Sequence, residues 1–193
     1  MKKTLIILVA LVVLIALMGG CSYNAMVSKD EGVKTAWAQV ENVYQRRADL
    51  IPNLVASVKG YAAHEQSTLE GVMEARAKAS QTVVDPSQFS PESLQQFQAA
   101  QGEISSALSR LMVVVERYPD LKANQNFLDL QSQLEGTENR IATERKRFNE
   151  LAQEYNTYIR TFPRMLFAGW FGFAQKPYFA AQEGAWQAPV VAF

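Results

Sequence analysis

The chain has 193 residues, with 19 Lys and Arg against 19 Asp and Glu, one His, one Cys and 48% hydrophobic residues. Zero formal charge withholds the electrostatic contribution that dominates nucleic-acid affinity. One Cys forbids an intrachain disulfide and any Cys-based zinc or iron–sulfur cage, one His forbids the paired His ligands of di-iron bundles, and the length and apolar fraction suit a single folded domain.

Lys2 and Lys3 precede an unbroken apolar run from Leu5 to Met18, followed by Gly19, Gly20 and Cys21. A positive start, a short apolar stretch and small residues describe a secretory signal. As a helix the run spans roughly 21 Å at ~1.5 Å per residue, short of the ~30 Å hydrocarbon core. Cys21 after two small residues resembles the bacterial lipobox, although Met18 stands where Leu is usual. In that reading the mature chain begins at Cys21, the lipid attachment point. A second reading keeps Leu5 to about Met26 as an uncleaved anchor, and a third buries the run as a helix of a soluble protein. Both anchored readings leave Lys2 and Lys3 in the cytoplasm and the body outside it. The body then carries 17 basic against 19 acidic residues. Ser22, rather than Asp, follows the cysteine, so outer-membrane sorting is expected for a Gram-negative lipoprotein, and a single-pass inner-membrane protein otherwise.

From Val33 to Leu166 the apolar residues recur at threes and fours, with no alternating strand pattern. Val33, Trp37, Val40, Val43, Tyr44, Leu50, Ile51, Leu54, Val58 and Tyr61 predict a first long helix to about Ala63, with a kink expected at Pro52. His64 is placed in its last turn, where it complements the helix dipole. A shorter helix over Glu65 to Thr82 presents Leu69, Val72, Met73, Arg76 and Ala79. Asp85, Pro86, Ser87, Ser90 and Pro91 mark a loop. Ser90 and Pro91 then start a helix carrying Leu94, Phe97, Ile104, Leu108, Leu111, Val115 and Tyr118, a series broken only by Gln101 and stopped by Pro119. The last long helix, about Asn126 to Phe162, carries Phe127, Leu130, Leu134, Ile141, Phe148, Leu151, Tyr155, Tyr158, Ile159 and Phe162, and ends at Pro163. Stripes of this length bury themselves only against one another. The expected fold is all-α, an extended antiparallel up-and-down bundle of four long helices following an N-terminal anchor or signal segment. The expected organisation is a signal or anchor over 1–20, a bundle over 21–173 and an irregular aromatic tail over 174–193.

Two polar stripes accompany the apolar ones. Asn42, Arg46, Asp49 and Asn53 share one face of the first long helix, and Glu138, Arg145, Asn149 and Asn156 one side of the last. They are read either as solvated faces or as a structural polar layer of Arg46, Arg47, Asp49, Glu138, Arg145, Asn149 and Asn156, with Arg46 or Arg47 paired to Glu138 or Glu144. A catalytic or ligand site in that layer is the weakest reading, because nothing singles out one carboxylate pair. No Gly-rich phosphate loop and no nucleophile elbow occurs. Residues Met165, Leu166, Phe167, Trp170, Phe171, Phe173, Tyr178, Phe179 and Trp186 form an aromatic segment broken by Gly169, Gly172, Pro177, Gly184 and Pro189. These aromatics either close the bundle or form a patch for a membrane interface or a partner, with Trp170, Phe171 and Phe173 as the candidate surface.

The segments Gln45 to Val55, Val58 to Tyr61 with His64 and Glu65, Glu116 to Asn124, and Glu138 to Ile141 closely resemble the LemA family of bacterial envelope proteins. Phe148-Asn149, Tyr155-Asn156, Phe162-Pro163 and Tyr23-Asn24 also fit. The resemblance runs from about Tyr23 to Phe173; the tail beyond has no counterpart, and Cys21 stands where many members continue a membrane span. It implies a membrane-associated helical bundle with no established catalytic residue, cofactor or metal. The expected function is therefore a non-enzymatic, membrane-anchored scaffold or adaptor that binds another envelope component and no nucleic acid. The alternative is a hydrolase or metal-dependent enzyme using an inter-helix polar layer.

Overall fold

The computed structural model describes residues 2–86 and 89–180; Ser87, Gly184, Trp186 and Pro189 lie outside them. Among the described residues there are six helices and no strand. Helix α1 runs from Lys2 to Tyr61, so the apolar N-terminal run and the first helix of the body are one element of 60 residues. At ~1.5 Å per residue it is about 90 Å long. Leu5, Ile6, Ile7, Leu8, Val9, Leu11, Val13, Leu14, Leu17 and Met18 are exposed, which is the opposite of the buried-helix reading. Among the described residues, no helix is long and apolar enough to cross a membrane.

Pro52 does not end α1. The proline supplies no amide proton for the Ala48 carbonyl four residues back, and a buried carbonyl needs a partner. Arg76 provides it, donating from Nε to the Ala48 oxygen at 2.7 Å. The side chain that tolerates the proline thus comes from another helix, α2 (Gln66–Gln81). His64 lies exposed in the turn between them, past the end of α1, rather than in its last turn.

Helix α3 (Pro91–Val115) starts with the expected Ser90 cap. Ser90 Oγ accepts from the Ser93 amide, and the Ser93 hydroxyl accepts from the Ser90 amide. After α3 the chain makes one further turn, α4 (Pro119–Lys122), where Pro119 begins a helix as well as stopping one. Helix α5 (Gln125–Arg160) is capped by Asn124, whose Oδ1 accepts from the Phe127 amide at 3.1 Å. A short helix, α6 (Arg164–Phe171), follows Pro163 and ends at Gly172 with φ 75°. That left-handed conformation suits a residue without Cβ and lets the Phe173 amide reach back to the Ala168 carbonyl at 3.0 Å.

Contacts fix the relative directions. Lys29 meets Glu154 and Arg47 meets Glu138, so α5 runs opposite to α1. Lys78 of α2 meets Glu103 of α3, and Arg47 also reaches Gln101 of α3. Two apolar clusters fill the interior. The one nearer the N-terminal run is built on Met26, Val33, Trp37, Val40, Tyr44, Leu94, Phe97, Ile141, Phe148 and Tyr155. The distal one is built on Ile51, Leu54, Val58, Val72, Ile104, Leu108, Leu111, Leu121, Phe127 and Leu134.

Candidate functional site

The polar layer lies at the waist between the two clusters. Arg47 is buried there, 1% exposed. Its Nη1 donates to Glu138 Oε1 at 2.8 Å and to Ser105 Oγ at 3.1 Å, and its Nη2 to the side-chain and main-chain oxygens of Gln101 at 2.7 and 3.0 Å. The guanidinium also lies 5.1 Å from the Tyr44 ring centroid. One side chain therefore ties α1, α3 and α5 together. A buried guanidinium survives only where its donors are satisfied; of the three Arg47 nitrogens, Nε has no hydrogen-bond partner among the described residues. Glu138 is the water-facing partner, its side chain 43% exposed. Burial raises the Tyr44 phenol above its ordinary pKa against the lowering effect of Arg145 and Arg47.

The expected layer of seven residues divides into three groups. Arg47 and Glu138 form the layer. Arg46 and Asp49 are exposed, as are Asn42 and Asn53, and Asp49 accepts from Gln45 at 2.8 Å. The reason is register: Val40, Tyr44, Arg47, Ile51, Leu54 and Val58 are among the inward positions of α1, so Arg47 points into the core while its neighbour Arg46 points out. Arg145, Asn149 and Asn156 make a different structure, a cradle for the C-terminal tail.

In that cradle, Asn156 Nδ2 donates to the Lys176 carbonyl and Asn156 Oδ1 accepts from the Lys176 amide, both at 2.8 Å. Asn149 repeats the pairing with Phe179, at 3.1 and 2.8 Å. Seven residues of helix rise about 10.5 Å and three residues of extended chain cover about 10 Å, so the two periods coincide and the tail runs back along α5. Arg145 adds a bond to the Ala180 carbonyl at 2.9 Å, and Tyr155 one to the Ala174 carbonyl at 3.0 Å. Phe179 is thereby stacked on Trp37, centroids 5.9 Å apart at 17°, while Phe89, Phe97 and Phe148 meet the same indole edge-on.

Lys176 also reaches Asp30 Oδ1 at 2.8 Å, and Lys34 reaches Asp30 Oδ2 at 2.9 Å. Burial raises the Asp30 pKa, but these two ammonium groups outweigh it and hold the carboxyl below its ordinary value. Burial pushes the neighbouring Tyr155 phenol up to about 12.

The aromatic surface candidates separate as well. Trp170 and Phe171 are exposed on α6, whereas Phe173 is half-buried against the proximal core and the Tyr23 ring. Cys21 is exposed on α1, level with α6. The sequence reading missed Gln101 and Arg76 as partners. Gln101 was visible as the one polar break in the apolar series of α3, and Arg47 as a charge at an inward position of α1.

These features define a class: a helical bundle in which Arg47, Asn149 and Asn156 hold helices and tail together, carried on a helix with an exposed apolar N-terminal stretch. Within that class the chain belongs to the LemA family, whose model matches residues 36–193, so the tail after Phe173, expected to have no counterpart, falls within the family match. The chain is 28% identical over 190 residues to magnetosome protein MamQ 2 of Paramagnetospirillum magneticum, covering 88% of this chain and 68% of that protein. It is 27% identical over 190 residues to magnetosome protein MamQ of Magnetospirillum gryphiswaldense, with the same coverage. Against protein LemA of Metamycoplasma hominis it is 27% identical over 139 residues, covering 72% of this chain and 60% of that one.

Proposed function

We propose that this chain is a non-enzymatic, membrane-anchored scaffold of the bacterial cell envelope. Its body is an up-and-down bundle of four long helices that presents its distal end to another envelope component. The observation that carries this reading is the continuity of α1, which passes from the exposed apolar run into the distal core without a break. Tyr61 stands about 65 Å beyond Met18 along such a helix. The distal end is pinned by Tyr118 donating to Glu65 at 3.1 Å, Arg117 paired with Glu65 at 2.9 Å, and Asn124 donating to Tyr61 at 2.9 Å. Exposed Asp120 and Lys122 flank this tip. The bonds of buried Arg47, Gln101 and Asn156 favour scaffold over enzyme because they are made to the protein itself. Attachment is by acylated Cys21 or by the uncleaved run, with the body outside the cytoplasm.

Photo-crosslinking residues placed at Asp120 and Lys122 in intact cells should trap one or a few discrete proteins. A tip that captures nothing while the chain sits in its native membrane would overturn the adaptor role. The intact mass of membrane-extracted protein decides the attachment: a chain beginning at an acylated Cys21, or one retaining Leu5 to Met18 unmodified.

A further inference from the structure

We propose that α6 is a membrane-surface helix, seated in the interfacial layer of the bilayer from which α1 emerges. This rests on the anchoring reading above and adds a second, independent point of contact with lipid.

Helix α6 is apolar on both faces. Phe167 and Ala168 are buried against the body, and Phe162 is exposed in the turn before the helix, while Met165, Leu166, Gly169 and Trp170 fall at i, i+1, i+4 and i+5 of α6 and are all exposed. That spacing is one face of a helix turned outward, where a soluble protein places charge. Trp170 is 78% exposed and Phe162 74%. From Tyr155 to Ala181 the chain has no carboxylate side chain, only Arg160, Arg164 and Lys176. Lys176 is engaged by Asp30, so the positive charge beside α6 is that of Arg160 and of Arg164, which lies over the Tyr158 ring at 4.3 Å, both at its N-terminal end. An apolar face with a basic end fits a bilayer containing anionic lipid.

Depth chooses lipid over a protein partner. α6 is fixed against the residues that follow the apolar run: Gly19 lies beside Phe167, where an added Cβ would come within 3.3 Å of the ring, and Tyr23 meets Phe171 edge-on at 4.9 Å. Gly19 to Tyr23 occupy about 7.5 Å of helix beyond Met18, comparable to one headgroup layer of roughly 5–7 Å. An acylated Cys21 would place the bilayer surface at the same level. Both modes of attachment therefore bring Trp170 to the depth where Trp is enriched.

The test uses the full chain in vesicles of phosphatidylethanolamine and phosphatidylglycerol, with Trp186→Phe so that Trp37 and Trp170 are the remaining indoles. Trp37 is buried about 28 Å beyond Met18, out of reach of lipid quenchers. The protein should float with the vesicles, and lipids brominated near the headgroup should lower the Trp170 emission about twofold, an effect that disappears when Trp170→Phe is added. Flotation with Trp170 unquenched by bromolipid and open to iodide overturns the proposal and leaves anchoring intact. Flotation with Trp170 shielded from both overturns it in favour of a protein contact. Failure to float overturns the anchoring reading and the proposal together.

Discussion

Pro52 and Arg76 should be energetically coupled, because the arginine serves the carbonyl that the proline deprives of its amide. Arg76 donates from Nε to the Ala48 oxygen at 2.7 Å, and its side chain is half-buried. A hydrogen bond to a charged group contributes about 1.5–3 kcal/mol net. Met in place of Arg76 keeps most of the packing of the stem, so Arg76→Met should cost about 1.5–2 kcal/mol, a 10- to 30-fold fall in the folding equilibrium constant. With Pro52→Ala in the background, the restored amide donates to Ala48 itself, and the same substitution should cost less than about 0.5 kcal/mol. The difference, roughly 1–1.5 kcal/mol, exceeds the ~0.3–0.5 kcal/mol scatter of independent sites. Urea unfolding of the four proteins of the cycle, compared at a common slope, reads it directly. Equal costs of Arg76→Met in both backgrounds would refute the assignment of Arg76 as the partner of the freed carbonyl.

At the waist, Glu138→Ala should cost more than Arg47→Met, about 3 against 1–2 kcal/mol in urea unfolding. The first leaves the buried cation with only the neutral oxygens of Ser105 and Gln101, while the second leaves a carboxylate that can turn to water; the opposite order would discredit the layer. Asn156→Ala removes both bonds to the Lys176 backbone, and hydrogen exchange at the Lys176 amide should speed up about 30-fold, for a loss of ~2 kcal/mol, with α3 amides unchanged. Asp30 has a folded pKa below its ordinary 3.8, so its pairing with Lys176 and Lys34 stabilises above that value and is lost as pH falls through the lower folded one. As pH is lowered below 3.8 the tail should therefore loosen, as read by exchange at Phe179, and Asp30→Asn should flatten that dependence; an unchanged profile in the variant would exclude Asp30 as its source.

Much of the architecture is legible from periodicity, because long amphipathic stripes have to bury themselves on one another. The Ser90-Pro91 start, the stop near Tyr118 and the end before Pro163 follow from local backbone chemistry that needs no tertiary information. The kink expected at Pro52 illustrates the limit. Local rules give the missing hydrogen bond, but the donor that takes its place is a side chain 24 positions away. The polar residues divide in the same way. Arg47 and Arg46 are adjacent in sequence and alike in chemistry, and one residue of helical rotation sends one to the core and the other to water.

The amino-acid sequence by itself determined an all-helical chain, its apolar start with Cys21 close behind, and the family to which its motifs belong. Those follow from composition, from periods of three and four, and from contiguous motifs, all readable along one dimension. Tertiary structure decided that Arg47 rather than Arg46 closes the waist, that Asn149 and Asn156 hold a backbone instead of a layer of side chains, and that α6 sits beside Gly19. These depend on the rotation and register of elements far apart in the chain, which sequence spacing leaves free and packing fixes.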